Sequence, residues 1–209
     1  MRSNNVVLNG FIALEGLDGA GTTTQSDLLY RRIEADGRRV VRTSEPTDGP
    51  IGLLVREILA GRVAAEPSTV AYLFAADRNE HLRASGEGIL ALVGDGTLVV
   101  SDRYLFSSLA YQTVDTPWDV VAELNRRFPL PEVTVYLDLP VETALRRIEK
   151  RHHHEIYEHL QFQRQVHENY ARALSEWGAL VVRVDGAKPQ SDIHDEIWSR
   201  PEIQSIVKE

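Results

Sequence analysis

The sequence predicts an α/β fold: a doubly wound, five-stranded parallel sheet flanked by helices. Short runs of apolar and β-branched residues recur five times along the chain. Amphipathic segments of helical period separate these runs. Each run is continuously apolar rather than alternating, which is typical of strands covered on both faces. Strands that alternate with helices in this way lie parallel in one sheet.

The five predicted strands share an apolar core and occupy residues 10–16, 38–46, 97–104, 133–140 and 179–186. The amphipathic helices predicted between them include residues 23–35, 68–82, 118–128, 140–151 and 160–177. The chain has 209 residues and no internal repeat or long linker, so we expect a single domain covering residues 1–209. The stretch "RHHHEIYE" interrupts two helical patterns and predicts a flap at about residues 150–158.

The bulk composition narrows the class of protein. Apolar residues make up 43% and charged residues 26% of the chain, which is typical of globular proteins. No apolar run is long enough to span a membrane, so no membrane partner is expected. The net charge of −8 disfavours a nucleic-acid-binding surface. The absence of cysteine excludes disulfides and fits the reducing cytoplasm, which is the expected location.

Arginine dominates the basic residues. Of the 23 lysines and arginines, only Lys150, Lys188 and Lys208 are lysines, and all three lie in the last third of the chain. Arginine forms planar, bidentate contacts with carboxylates and phosphates. If the protein binds phosphate, arginine is therefore expected to provide most of the charge, although a general compositional bias explains the ratio equally well.

A glycine-rich segment, "GLDGAGTTTQ", follows the first predicted strand. It matches the phosphate-binding pattern G-x-x-x-x-G-K-[ST], except that Thr22 stands in place of the lysine. The amides of such a loop and the next helix N-terminus bind phosphate without that lysine. The predicted phosphate-binding loop comprises Gly16, Leu17, Asp18, Gly19, Ala20, Gly21, Thr22, Thr23 and Thr24. An ordinary glycine-rich turn is the alternative that the segment alone leaves open.

Four blocks together resemble the thymidylate kinase family. They are "FIALEGLDGAGTTTQ", "YLFAADRNEH", "SDRYLFSSLAYQ" and "LDLPVETALRRI", which occur in the family's order and span most of the chain. The resemblance implies a P-loop nucleotide kinase fold with a short lid at residues 150–158. It also implies ATP-dependent phosphorylation of dTMP to dTDP, with Mg²⁺ and a homodimeric assembly.

Two alternatives to this function stay open. One is a kinase for another deoxynucleotide or for a nucleoside. The other is a catalytically weak nucleotide-binding protein, because the loop has lost its lysine and Ile156 stands where the family's lid arginine is expected.

The predicted acceptor site begins with Phe74 and Arg78. These residues are four apart on a predicted helix and share one face. An aromatic plane beside a guanidinium can stack a pyrimidine and donate hydrogen bonds to its carbonyl edge. The resemblance assigns this role to them for thymine. A core phenylalanine beside a surface arginine that is paired with a nearby acid is the alternative.

The resemblance implies further roles at the acceptor site. Arg103 is expected to bind the acceptor monophosphate and the transferring group, and Asp18 to approach the acceptor sugar. Tyr111 is expected to exclude a 2′-hydroxyl, with Ser108 and Gln112 near the base. Glu45 lies in the segment after the second strand, where Ser44 replaces the family's usual arginine.

The metal and lid residues complete the prediction. Asp102 ends the third apolar run and resembles the acidic residue that organises Mg²⁺, with Thr23 as the hydroxyl ligand. An arginine of the segment 147–151 is the candidate to replace the missing loop cation. Arg151 is preferred because it borders the flap, and Arg147, one turn earlier, is better placed to lie along the adenine. Residues 152–154 are consecutive histidines, which do not face one site on a helix, so we assign no metal to them.

Overall fold

A computed structural model describes residues 6–149 and 156–208. Within these residues, five strands form one parallel sheet in the order β2-β3-β1-β4-β5. The strands are β1 (Val7–Gly16), β2 (Val40–Ser44), β3 (Leu98–Asp102), β4 (Leu130–Asp138) and β5 (Val181–Asp185). All four neighbouring pairs are parallel. The predicted fold class is therefore confirmed.

The helices of the described residues follow in chain order. They are α1 (Thr22–Ala35), α2 (Pro50–Leu59), α3 (Pro67–Arg83), α4 (Ile89–Gly94), α5 (Leu105–Tyr111), α6 (Trp118–Asn125), α7 (Val141–Glu149), α8 (Ile156–Glu176), α9 (Gln190–Ser199) and α10 (Pro201–Lys208). Prolines mark several of the starts: α2, α3 and α10 begin at one, where its missing N–H costs nothing. The helices α2, α4, α9 and α10 are not among the segments named above as predicted helices.

The strand order explains where a site can form. The chain leaves β1 through α1 toward β2 at one edge, and it leaves β3 through α5 and α6 toward β4 on the other side. Because crossovers are right-handed, these two connections cover opposite faces of the sheet. A crevice therefore opens between the carboxyl ends of β1 and β3, where Leu14 pairs with Asp102.

The core lies on both faces of the central strands. Residues 11–14 of β1 have no exposed surface, and all of β3 is buried. On one face, Tyr170 of α8 packs on Tyr136 of β4 with ring centroids 5.3 Å apart. This burial explains why the strands lack polar alternation. No helix in the described part of the chain has the length and apolar character needed to cross a bilayer.

The predicted lid falls largely outside the described residues. Residues 150–155 are not described, and residues 156–158 form the first turn of α8. The expectations for Arg151 and for the three histidines therefore lie outside the described residues.

Candidate active site

The glycine-rich segment forms the connection between β1 and α1 at the central crevice. Gly19 and Gly21 have φ angles of 82° and 96°, a left-handed conformation that glycine adopts without steric cost. Helix α1 begins at Thr22, so the first amides of α1 lack partners within the helix. These amides and the helix dipole make the segment suited to anionic oxygens.

Thr22 does not replace the charge of the missing lysine. Its side chain is neutral and only 5% of the residue is exposed. The loop therefore offers backbone amides and a helix N-terminus but no cation of its own.

Thr23 and Asp102 form a site suited to a divalent cation. The Thr23 hydroxyl donates to Oδ2 of Asp102 at 2.5 Å, across the crevice between α1 and β3. The other carboxylate oxygen, Oδ1, is buried and has no protein partner in the described residues. An unpaired buried carboxylate oxygen beside a hydroxyl matches the hard oxygen ligands that Mg²⁺ prefers. The predicted metal residues thus fit the ion.

Helix α7 packs directly against the loop. A Cβ atom on Gly19 would lie 2.8 Å from the carbonyl oxygen of Ala144, so only glycine permits this approach. Arg147 is half-buried at the same contact and donates from Nη1 to the carbonyl of Gly19 at 3.2 Å. One of the two arginines predicted to compensate for Thr22 is therefore next to the phosphate-binding loop.

A cleft of about 550 Å³ lies beside the loop at the carboxyl ends of β1, β2 and β3. Its described lining includes most of the residues predicted for the acceptor site: Asp18, Glu45, Phe74, Arg78, Arg103, Tyr111 and Gln112. Apolar side chains from α2, α3 and α8 line much of the rest, together with Tyr104, Ser107 and Asp115. A concave, mostly apolar cleft with a few convergent polar groups is typical of small-molecule sites.

Arg78 is buried rather than on the surface, which excludes the surface-arginine alternative. It is 1% exposed and donates from Nε and Nη2 to the same oxygen of Glu45, at 2.9 and 2.6 Å. Its Nη2 also donates to Ser108 at 3.0 Å, and its Nη1 donates to the side-chain oxygen of Asn125. These contacts fix the guanidinium in the cleft wall beside Phe74.

Glu45 and Ser108 both accept hydrogen bonds from Arg78. Glu45 is 4% exposed, and its second oxygen accepts from Nδ1 of His81 at 3.0 Å. Nε2 of His81 lies 2.7 Å from the hydroxyl of Thr43. Ser108 is not among the residues that line the cleft. The structure therefore places Glu45 and Ser108 as partners of Arg78, with Glu45 also exposed to the cleft.

Arg103 has the most constrained environment in the site. Its φ angle is 71°, and no other non-glycine residue in the described chain has a positive φ. This conformation costs on the order of 1 kcal/mol and persists only where the surroundings support it. The amide of Arg103 donates to the carbonyl of Leu14 at 2.9 Å, and Nη2 donates to Asp18 at 2.7 Å. The guanidinium carbon lies 5.2 Å from the Tyr111 ring centroid.

Tyr111 and Gln112 end α5 at the mouth of the cleft. The Tyr111 hydroxyl accepts a hydrogen bond from the amide of Asp18 at 2.9 Å, which ties the loop to α5. Burial raises the pKa of Tyr111, against the lowering effect of Arg103, so the hydroxyl stays neutral. The side-chain oxygen of Gln112 is buried without a described protein partner and is free to accept from a ligand.

A buried carboxylate lies directly behind Arg103. Glu15, at the end of β1, is fully buried and accepts four hydrogen bonds from Tyr104, Ser107 and Tyr170. Burial raises the pKa of Glu15 to about 7, although those hydrogen bonds and the charge of Arg103 oppose the shift. Glu15 was not among the predicted site residues.

Four residues at the site were not predicted, and the sequence carries a local signal for only two of them. Glu15 interrupts an apolar strand one residue before the loop, and a charge there needs buried partners. His81 follows Arg78 by three residues and shares its helix face. Asn125 and Tyr170 come from α6 and α8, and no local pattern connects them to the site.

The described residues combine a glycine loop between β1 and α1, a Thr23–Asp102 pair suited to a divalent cation, and a cleft at the switch point. This combination is typical of the P-loop kinases. The family model for thymidylate kinase matches residues 14–197, which is most of the chain. The chain therefore belongs to the thymidylate kinase family.

Individual relatives agree with the family match. A protein of Treponema pallidum is 39% identical, with 91% of this chain and 94% of the relative covered. A protein of Aeropyrum pernix is also 39% identical, over 85% of this chain and 86% of the relative. One of Methanococcus aeolicus is 34% identical over 96% of this chain and all of the relative. Each is named a thymidylate kinase on a provisional basis.

Proposed function

We propose that this protein transfers the γ-phosphoryl group of ATP to dTMP, with Mg²⁺, and so forms dTDP. The observation that carries this proposal is the cleft that joins Phe74, Arg78 and Arg103 beside the phosphate-binding loop. Such transfer needs positioning and charge stabilisation rather than a covalent nucleophile.

Base recognition is assigned to the wall formed by α3 and α5. Phe74 stacks the pyrimidine, and Arg78, held by Glu45 and Ser108, presents its guanidinium to a base carbonyl. Gln112 accepts from the ring N–H through its unpaired oxygen. Tyr111, fixed by the amide of Asp18, fills the space beside the sugar and excludes a 2′-hydroxyl.

Phosphate binding is assigned to Arg103 and the loop. Arg103 binds the acceptor phosphate, and its ion pair with Asp18 keeps the guanidinium at the junction of cleft and loop. Thr23 and Asp102 hold Mg²⁺, which neutralises charge on the ATP phosphates when bound. The amides at the start of α1 bind donor oxygens.

The charge that Thr22 lacks is assigned to an arginine of the α7 region. Arg147 already contacts the loop through Gly19 and can turn toward the donor phosphates by side-chain rotation. Arg151, outside the described residues, is the second candidate. One well-aimed cation contributes about a hundredfold to the rate.

We also propose that the active form is a homodimer. Helix α2 exposes Leu53 by 51% and Leu54 by 41%, and α3 exposes Tyr72 by 57%. An apolar surface of this kind on neighbouring helices is typical of a protein–protein interface. Light scattering after size exclusion should give twice the mass of one chain for the wild-type protein. The Leu53→Glu variant should instead give the mass of a single chain. Leu180→Glu, at an equally exposed leucine before β5, is the matched control.

An acceptor comparison tests the main proposal. ADP release is coupled to a spectrophotometric reaction, with dTMP, dUMP, dCMP and thymidine as acceptors at saturating ATP and Mg²⁺. We expect kcat/KM for dTMP to exceed each of the others by about tenfold or more. Cytosine lacks the ring N–H that Gln112 accepts, dUMP lacks one methyl group, and thymidine lacks the phosphate that Arg103 binds. Equal or higher values with another acceptor would overturn the proposal.

A further inference from the structure

Glu15 is a buried acid that the proposed reaction does not use directly. It lies one residue before the loop and has no exposed surface. Oε1 accepts from the amides of Tyr104 and Ser107 at 2.9 and 3.2 Å. Oε2 accepts from the hydroxyls of Ser107 and Tyr170 at 2.6 and 3.0 Å. A carboxylate buried this completely, with four donors around it, has a defined orientation.

The same two hydroxyls contact Arg103. Nη1 of Arg103 lies 3.1 Å from the Ser107 hydroxyl and 3.3 Å from the Tyr170 hydroxyl. Each hydroxyl has one proton and two lone pairs. When both protons point at Glu15, both oxygens present lone pairs to the guanidinium. We call these two hydroxyls the hydroxyl bridge.

We propose that Glu15 is a positioning residue for acceptor-phosphate binding. Its ionised carboxylate orients the hydroxyl bridge, and the bridge holds Arg103 toward Asp18 and the cleft. This inference rests on the proposed role of Arg103 in binding the acceptor phosphate.

Protonation of Glu15 disrupts this arrangement. A neutral carboxyl group carries its own proton and donates it to one bridge oxygen. That hydroxyl can then no longer donate to the same carboxyl oxygen, and its proton turns toward Arg103 or toward the other bridge hydroxyl, 2.9 Å away. In either case the bridge has fewer lone pairs to present to Nη1 of Arg103, which keeps the carbonyl of Gly16 at 3.0 Å as an acceptor. Because Arg103 cannot lose its proton, the whole effect depends on the charge of Glu15.

The surroundings of Glu15 support a proton-dependent effect near neutral pH. Burial raises its pKa to about 7. The charged and titratable groups that face this region come from each packed element: Asp18 of the loop, Arg103 and Tyr104 after β3, Tyr111 of α5, Tyr136 of β4 and Tyr170 of α8. Burial, followed by the charge of Glu15, raises the pKa of Tyr170, so its hydroxyl remains a proton donor.

Glu15→Gln tests the inference, because the glutamine amide mimics the protonated acid. We measure dTMP affinity by calorimetry, and KM and kcat by the coupled assay, from pH 6 to pH 8.5. The titration of the dTMP phosphate cancels in the ratio of variant to wild type. At pH 8 the variant should bind dTMP about tenfold more weakly, and at pH 6 the two should agree within about twofold. The KM for ATP should be unchanged.

Tyr170→Phe provides a second test that keeps the ring and removes one bridge hydroxyl. It should weaken dTMP binding about fivefold at pH 8 and leave the KM for ATP unchanged. Tyr136→Phe is the matched control, since this ring packs on Tyr170 and its described contacts include no hydrogen bond to Glu15 or Arg103. The control should resemble wild type at every pH.

The outcomes separate this inference from the proposed function. If Glu15→Gln and wild type keep a constant affinity ratio for dTMP from pH 6 to pH 8.5, the role of Glu15 is overturned. If Glu15→Gln does not fold, a Tyr170→Phe variant with normal dTMP affinity overturns it instead. Wild-type protein that binds dTMP without turnover overturns the proposed function alone. Wild-type protein that fails to bind dTMP overturns both.

Discussion

The acceptor cleft and the phosphate-binding loop are adjacent but are built in opposite ways. In the cleft, Arg78 is 1% exposed and held by Glu45, Ser108 and Asn125. In the loop, backbone amides and a helix N-terminus provide the binding groups, and Thr22 adds no charge. The cleft therefore carries its charge on fixed side chains, whereas the loop has no cation of its own, and we propose that a neighbouring segment supplies one.

This difference has a physical basis. A guanidinium that is already held by hydrogen bonds loses little conformational entropy when a ligand binds. The cleft is therefore organised before a ligand enters it. The guanidinium of Arg147 has only a single described hydrogen bond, at 3.2 Å to the carbonyl of Gly19. It can rotate toward the donor at the cost of that bond. Substitutions in the cleft should therefore change acceptor binding, and substitutions in α7 should change the rate.

The largest expected effect tests the charge that the loop lacks. Arg147→Ala and Arg151→Ala are each combined with Thr22→Lys in double-mutant cycles. The arginine that serves the donor phosphates should lower kcat about a hundredfold when removed, with little change in dTMP affinity. Thr22→Lys should partly restore that variant, because the two cations serve one oxyanion.

The cycle also decides whether compensation occurs at all. If Thr22→Lys acts independently of both arginine variants, the loop works without a replacement cation. The proposed contrast would then be wrong, because the loop would not rely on an arginine from another segment. Arg62→Ala is the matched control, since its described ion pair with Glu57 lies on the surface.

The second prediction tests the acceptor cleft, where the charged side chains are held in place by hydrogen bonds. Arg78→Lys keeps the charge and loses the planar fork that bonds Glu45 and Ser108. We expect dTMP to bind about thirtyfold more weakly, while the KM for ATP stays within about twofold. Equal losses for both nucleotides would show that Arg78 does not belong to the acceptor pocket. Arg62→Lys is the control for a surface exchange of the same type.

The smallest expected effect concerns the sugar. Tyr111→Ala should raise kcat/KM for ribothymidine monophosphate relative to dTMP by about tenfold, because it removes a steric barrier. The measurement is the ratio of kcat/KM for the two acceptors. Tyr111→Phe controls for loss of the hydrogen bond from Asp18, and it should leave the ratio unchanged. If the ratio of kcat/KM changes equally in Tyr111→Ala and Tyr111→Phe, the effect comes from the lost hydrogen bond to the loop and not from the bulk of the ring.

Much of the fold and part of the site were predictable from local pattern. The five strands were found at nearly their observed positions because a parallel sheet buried on both faces is continuously apolar. Phe74 and Arg78 were paired through helical spacing, and the structure brings both to one cleft. The helices α2, α4, α9 and α10 were not among the helices predicted from the pattern. Helix α4 has only six residues, which is too short to show a helical period.

Other parts of the site could not be predicted in this way. The resemblance implied that Glu45 and Ser108 bind dTMP, and both prove to be hydrogen-bond partners of Arg78. Glu15 connects to Tyr170 across 155 positions in the chain. Such contacts depend on how helices dock on the sheet, and the sequence around each residue does not record that docking.

The sequence by itself determined the strand–helix alternation, the glycine loop with its missing lysine and the family to which the chain belongs. These are properties of neighbouring residues: backbone freedom at glycine, periodicity, and the order of short motifs. The tertiary structure alone decided which side chains meet. It placed Arg147 against Gly19, enclosed Arg78 with Glu45, and set Glu15 behind Arg103 through two hydroxyls. Burial then fixed the orientations of Arg78 and Glu15 and raised the pKa of Glu15, because desolvation acts only once distant elements have packed together.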